Sequence, residues 1–163
     1  MTDLDTIDLQ IIQAFRLGGR VTNAQVAREV GVSEGTVRRR IGALEEAGVL
    51  SFVAVTDPRK IGLLVDTLIG INTDVDKVQA VAEELARMPE VRYVGMAMGA
   101  FDIWVGALFP SVDAWMDFRN DRLARMKGIR RTETFQMTRI LKRTYDWVTP
   151  DGAGPSPRSD RSK

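Results

Sequence analysis

Residues 21–48, VTNAQVAREVGVSEGTVRRRIGALEEAG, decide how this chain is read. They predict two short amphipathic helices joined by a tight turn. Thr22 stands as N-cap to a first helix, Asn23 to Val30, whose apolar Val26, Ala27 and Val30 fall at i, i+1 and i+4. Gly31 supplies a C-terminal stop, Ser33 caps a second helix running from about Glu34 to Ala47, and Gly48 ends it. Only Gly31-Val32-Ser33 separates the helices, the spacing of a helix-turn-helix unit, which sets its second helix into a DNA major groove.

At about 100° per residue, Val37, Ile41 and Leu44 share one stripe of that second helix and must pack inward. Gly35, Arg39, Gly42 and Glu46 point the opposite way, with Thr36 and Arg38 on the shoulders. A glycine inside a helix costs roughly 1 kcal/mol against alanine, so two on the outward face call for close approach to another surface. A DNA groove is such a surface. The candidate DNA-contacting residues are Ser33, Gly35, Thr36, Arg38, Arg39 and Arg40. Arg38 and Arg39 suit guanine edges or phosphates, and Ser33 fixes the helix start. Arg40 lies beside the apolar stripe, where snorkelling to backbone or to an acidic neighbour competes with a DNA contact. An arginine run by itself is more often a solvated face; the capped turn and the glycine placement tip the balance toward DNA.

Composition bounds the rest. With 163 residues, 44% of them hydrophobic, the chain holds one ordinary domain or two small ones with real cores. It has no cysteine, hence no disulfide and no thiolate metal site. It has no histidine either, which removes the commonest metal ligand and general base together with every Ser-His or Cys-His arrangement. No metal, cofactor or catalytic centre is expected. The longest apolar runs, Ile61 to Leu64 and Ile103 to Phe109, are far too short for a membrane span, and the acidic N-terminus lacks a signal-peptide core. A cytoplasmic, nucleoid-associated protein is expected. Net charge is +1, and the first sixty residues carry eight basic and eight acidic side chains. DNA affinity must then come from local clustering of Arg38, Arg39 and Arg40, with Arg28 and Arg59-Lys60 nearby. Such clustering suits a dimer, which doubles the phosphate contacts.

Leu4 to Leu17, with Ile7, Ile11, Ile12 and Phe15 apolar and Asp3, Asp5 and Asp8 at its start, predicts the first helix of a three-helix unit, ended by Gly18-Gly19. After Gly48, VLSFVAVTDP predicts a connector strand stopped by Asp57-Pro58. Strands are then predicted over Leu63 to Val75, Val91 to Met98, Phe101 to Phe109 and Ile129 to Lys142. Helices are predicted over Asp76 to Met88 and Val112 to Met126, with Trp115 on the apolar face of the latter. This β-α-β-β-α-β order is the split-βαβ, ferredoxin-like arrangement. The expected division is a helix-turn-helix domain over 1–50, a connector over 51–61, a βαββαβ domain over 62–148 and a Gly/Pro/Ser-rich disordered tail over 149–163. The fold class is α+β.

The chain resembles the Lrp/AsnC (feast/famine) family of transcription regulators over about residues 4–143. Leu4-Asp5 and Asp8, Gly19-Arg20, Ala27, Val30-Gly31-Val32-Ser33, Val37, Arg40-Ile41, Leu44-Glu45 and Gly48-Val49 carry the likeness in the first domain, with Gly62 after the connector. Pro89-Glu90-Val91, Gly99-x-x-Asp102 and Gly128-Ile129 with Thr132-x-Thr134 carry it in the second. Their order and spacing, not any one motif, are specific.

The resemblance implies a homodimer formed through the second domain's sheets, assembling further to a tetramer or octamer that bends or wraps double-stranded DNA. It also implies a small effector, typically an amino acid, near Met98, Gly99, Ala100, Phe101 and Asp102 and the strand carrying Thr132, Thr134 and Gln136. A turn at Gly99 would expose N–H groups to a carboxylate and Asp102 would accept an ammonium; equally, Gly99 makes a hairpin and Asp102 satisfies it. The family's loop reads Gly-Asp-Tyr-Asp, whereas this one reads Gly99-Ala100-Phe101-Asp102, losing an acid and a hydroxyl beside the adaptable Met96 and Met98. That points to a hydrophobic or aromatic amino acid, or to a pocket that works without ligand.

Three rival classes are weaker. An effector-independent architectural DNA-binding protein would favour a strongly basic surface. An enzyme, as in the tetrapyrrole-pathway decarboxylases that resemble this fold, would call for histidine. A pure small-molecule sensor leaves the capped helix and outward Arg39 unexplained. The sequence is read as a DNA-binding transcriptional regulator.

Overall fold

The computed structural model describes residues 4–18 and 21–143. The chain forms two compact units, unit 1 built on the segment up to Ala54 and unit 2 on Val55–Lys142. The expected tail over 149–163 lies outside the described residues.

Unit 1 contains α1 (Thr6–Gly18), α2 (Asn23–Val30) and α3 (Glu34–Glu46). Helix α1 starts two residues later than the apolar pattern suggests because Asp5 caps it. The Asp5 carboxylate accepts the Asp8 N–H at 2.9 Å, and the Asp8 carboxylate accepts the Asp5 N–H at 3.2 Å. At α2, Thr22 Oγ1 accepts the Gln25 N–H and the Gln25 side chain accepts the Thr22 N–H, a reciprocal capping box. Gly31 closes α2 in the left-handed region, φ 77°, where a side chain would be strained. Ser33 Oγ accepts the Thr36 N–H at 3.1 Å and opens α3. Ile11, Ala14, Val26, Ala27, Val37 and Ile41 form the core, with Ile7, Phe15 and Leu50 packed against it.

Over the expected connector, 51–61, no strand forms within this chain. Residues 50–57 pair with no strand among the described residues, so their backbone lacks the ladder that makes a strand. A 3-10 turn follows over Pro58–Ile61, opened by the Asp57 carboxylate accepting the Arg59 N–H at 3.0 Å.

Unit 2 is β1 (Val65–Thr73), α4 (Val78–Ala86), β2 (Val91–Met96), β3 (Ile103–Phe109), α5 (Val112–Asp117) and β4 (Ile129–Gln136). The strands form one antiparallel sheet in the order β2-β3-β1-β4, a ferredoxin-like βαββαβ domain. One face packs Val65, Ile69, Ile71, Ile103, Val105, Ala107 and Phe109 against Val81, Ala82 and Leu85 of α4. The alternate positions of β1 and β3, among them Leu68, Gly70, Trp104 and Leu108, form the outer face.

Two expected elements of this unit are much shorter than predicted, and its others are shorter by two to four residues. The helix over 112–126 leaves α-geometry after Asp117 for a π turn (Phe118–Arg122) and a 3-10 turn (Leu123–Arg125). In a regular helix Phe118 and Leu123 would diverge by about 140°. The π turn, whose Leu123 N–H reaches the Phe118 carbonyl, lets both bury together with Met126. Strand β4 stops at Gln136, not Lys142: β1 runs on to Val65, but past the Thr67–Gln136 pair only the Met137 N–H reaches it, at Asp66 O, 2.8 Å.

Candidate nucleic-acid interface and ligand loop

Helix α3 sorts as its sequence requires. Val37, Ile41 and Leu44 are buried, while Gly35, Arg38 and Arg39 are exposed and Thr36 is half-buried, its Oγ1 2.9 Å from Ser33 Oγ. A Cβ on Gly35 would meet only Ser33 Oγ, at 3.9 Å, and one on Gly42 would meet nothing within 4 Å. Packing inside the chain therefore does not explain either glycine. Arg38 makes an exposed 3.5 Å contact to Glu34, weak enough to be exchanged for a stronger anion. Arg39 makes no ion pair or hydrogen bond among the described residues.

Arg40 behaves differently from its two neighbours. Its Nη1 donates to Asp5 Oδ2 at 2.7 Å and to Asp8 Oδ1 at 2.8 Å, tying α3 to the cap of α1. The same contacts shift the charges: the Asp5 carboxyl is held below the usual carboxylate range, first by the Asp8 N–H and then by Arg40. Arg40 is raised by Asp8 and Asp5 in turn. The acidic-neighbour reading of Arg40 fits this geometry, and its DNA-contact reading would require those bonds to break. The sequence does not name the partners, although Asp5-x-x-Asp8 at a helix start beside a stripe-flanking arginine is the signal for them.

The Gly99–Asp102 segment links β2 to β3. Asp102 Oδ2 accepts the Thr73 N–H at 2.8 Å, Asp102 N–H donates to Ile71 O at 3.0 Å, and Asp102 O accepts the Ala97 N–H at 2.9 Å. Asn72 Nδ2 donates to Ala100 O at 2.9 Å. These bonds fasten the loop to the end of β1, so Asp102 satisfies its own turn. Gly99, at φ 158°, is close to extended. Met98 is fully exposed and Met96 largely so.

Phe101 folds back onto the outer face. Its ring covers Gly70 so closely that a Cβ there would lie 2.7 Å from ring carbons. It meets Trp104 edge-on at 5.0 Å, and Trp104 meets Phe135 at 6.2 Å. This aromatic row was not anticipated; its signal is the glycine in the middle of an otherwise apolar strand. Thr132, Thr134 and Gln136 pair with Ile71, Ile69 and Thr67, whose side chains belong to the helix-facing side. Within one chain the Phe101 ring thus lies on the face of the sheet opposite Thr132, Thr134 and Gln136. Trp115 packs against the helix-side core, as its helical face suggested.

Among the described residues there is no group of three or more His, Cys, Asp and Glu able to hold a metal, and no helix long and apolar enough to cross a membrane.

A family model described as the Lrp/AsnC ligand binding domain matches residues 67–147, and one for winged helix-turn-helix DNA-binding matches residues 4–51. An uncharacterized helix-turn-helix-type transcriptional regulator of Pyrococcus abyssi is 35% identical over 143 residues, covering 87% of this chain and 90% of its own. The leucine-responsive regulatory protein of Rhizobium meliloti is 28% identical over 144 residues, covering 86% of this chain and 92% of its own. The crystal structure of a Neisseria meningitidis transcriptional regulator in complex with L-methionine matches with a TM-score of 0.76 at 25% identity, over 88% of this chain and 95% of its own.

Proposed function

Because the chain belongs to the Lrp/AsnC family of DNA-binding transcriptional regulators, with a helix-turn-helix unit and a ligand-binding domain, we infer that it is a sequence-specific regulator whose assembly or DNA binding responds to a hydrophobic or aromatic amino acid. The family is one of regulators and not of enzymes.

The observation that carries the DNA half is the split among three consecutive arginines. Arg40 is fixed to α1, while Arg38 and Arg39 stand exposed beside two glycines whose added Cβ would meet no close neighbour among the described residues. Ser33, Gly35, Thr36, Arg38 and Arg39 then enter the major groove, with backbone drawn close at the glycines and guanidinium forks at base edges or phosphates. Arg40 acts by holding the helix in place. Action at the nucleoid follows from this reading.

The effector half is supported by the exposed Met96 and Met98, by Phe101 where the family loop has tyrosine, and by the L-methionine complex of the Neisseria relative. Asp102 Oδ1 is left to receive an ammonium once Oδ2 is engaged by Thr73. A ligand touching both the Phe101 ring and the side chains of Thr132 and Thr134 must draw on two protomers, since one protomer presents them on opposite faces. Self-association to a dimer, and onward to a tetramer or octamer, is supported by the outer face, where Tyr93 and Phe135 are exposed next to half-buried Leu68, Trp104 and Leu108. Sedimentation velocity with and without a panel of amino acids, beside calorimetric titration, tests this half. A dimer or larger assembly that shifts with a hydrophobic amino acid supports it. A monomer that binds none of the panel overturns it.

A further inference from the structure

Charge is unevenly distributed along unit 2. From Asp57 to Phe118 acidic side chains outnumber basic ones ten to five, whereas from Arg119 to Lys142 basic ones outnumber acidic ones eight to two. Both acids of the second stretch are already engaged, Asp121 with Arg125 and Glu133 with Arg131, each at 2.9 Å. Arg119, Arg122, Lys127 and Arg130 are exposed and have no hydrogen-bond or ion-pair partner among the described residues.

The four fall between α5 and the start of β4, the corner where the chain turns back into the sheet. Phe118, Leu123 and Met126 turn inward and bury, which leaves Arg119 and Arg122 on the solvent side of the same turns. Lys127 and Arg130 bracket Gly128-Ile129, where the chain enters the edge strand β4. Arg130 falls in the register shift between the Thr73–Ile129 and Asn72–Arg131 pairs, so it has no cross-strand partner. Gly128, at φ 95°, brings this corner against the start of α4: a Cβ there would lie 2.8 Å from Lys77 Cβ, whose own charge is taken up by Asp76 at 3.0 Å. Like charges held together cost self-repulsion, which an external polyanion relieves.

We propose that this corner of unit 2 is a second DNA contact, taking the phosphates of duplex that flanks the segment read by α3. Unit 1 has little electrostatic attraction to give, because the segment up to Ala54 carries six basic against seven acidic side chains. Phosphate neutralisation nonetheless supplies much of the affinity of any DNA-binding protein. The two units share one chain, so DNA held by one is concentrated near the other. The corner offers charge without a helix or ribbon shaped for a groove, which fits backbone contact and not base reading. The inference rests on unit 1 being the DNA-reading part.

The test uses the intact chain, two duplexes from upstream of its own gene, and a salt series. One duplex is trimmed to the base pairs whose substitution weakens binding, the segment that α3 reads; the other is extended on both sides. In the variant carrying Arg119→Gln, Arg122→Gln, Lys127→Gln and Arg130→Gln, the slope of log affinity against log salt on the extended duplex falls by about 0.9 for each phosphate no longer neutralised. The slope on the trimmed duplex stays as in the wild type. Replacing the three arginines by lysine preserves both slopes, because a phosphate contact needs charge more than a fork. The pair Arg119→Gln with Arg122→Gln gives a partial loss and serves if the fourfold variant misfolds. An unchanged slope on the extended duplex, or an equal loss on both duplexes, overturns the proposal. Failure of the unit 1 reading shows separately, as Arg39→Ala leaving binding to the trimmed duplex intact.

Discussion

Arg40 of α3 and Asp8 of α1 are joined by an ion pair of 2.8 Å in which the Asp8 side chain is only 15% exposed. The bond crosses from the recognition helix to the first turn of the unit's opening helix, and Asp5 reinforces it from the cap position. It sets the pose in which Arg38 and Arg39 face outward.

Arg40→Met lowers the melting temperature of unit 1 by leaving the enclosed Asp8 carboxylate without its cation. Adding Asp8→Asn recovers part of the loss, since the stranded charge is then gone. Calorimetry resolves the effect as a shift in one transition with that of unit 2 unmoved. Additive losses in the double variant would deny the coupling.

Acid titration reports the same clamp. The folded Asp5 carboxyl lies below its unfolded value of about 3.9. Its contribution is therefore fully present above that value and is lost as pH falls through the folded one. The melting temperature of unit 1 declines on acidification through the carboxylate range, and Asp5→Asn makes the decline shallower. In Arg40→Met the Asp5 shift shrinks without vanishing, because the Asp8 N–H is its larger cause.

Gly70→Ala destabilises unit 2 by about 1–3 kcal/mol, the usual cost of forcing an atom into an occupied space. The new Cβ meets the Phe101 ring at 2.7 Å, and ring carbons next to the backbone have little room to give. Phe101→Ala in the same chain relieves most of that cost, a non-additivity readable from thermal denaturation of the four-member cycle.

Val37→Asp places a carboxylate at a fully buried site and costs more than about 3 kcal/mol, enough to unfold a small helical unit. Hydrogen exchange shows protection lost across α1 to α3 and kept in β1 and β3. DNA binding disappears with it.

How much of this was legible in the sequence varies with the distance over which each feature is decided. The turn between α2 and α3 is settled by neighbours: Thr22, Gly31 and Ser33 act within four residues, and each acts as its residue type predicts. Local pattern failed where a partner decides. Residues 50–57 have the composition of a strand but no ladder to join among the described residues, and β4 leaves the ladder after Gln136 although β1 runs on to Val65. The π turn at Phe118 answers to what the core must bury, which helical periodicity does not express. In the candidate sites, Arg39 and Gly35 were readable from one helix's faces. The division of Phe101 from Thr132 and Thr134 was not, because it depends on strand parity across three strands and on a one-residue register shift.

The central claim is that α3 reads DNA through its outward arginines, and a fluorescence-anisotropy titration tests it most directly. Wild type and Arg39→Ala are each titrated against duplex from upstream of the protein's own gene and against a scrambled duplex, at two salt concentrations. The wild type prefers the upstream duplex, and Arg39→Ala loses about 1–3 kcal/mol on it, roughly fivefold to 150-fold, with little change on the scrambled one. Equal loss on both duplexes would assign Arg39 to phosphate. Affinity and selectivity unchanged by Arg39→Ala would contradict the account.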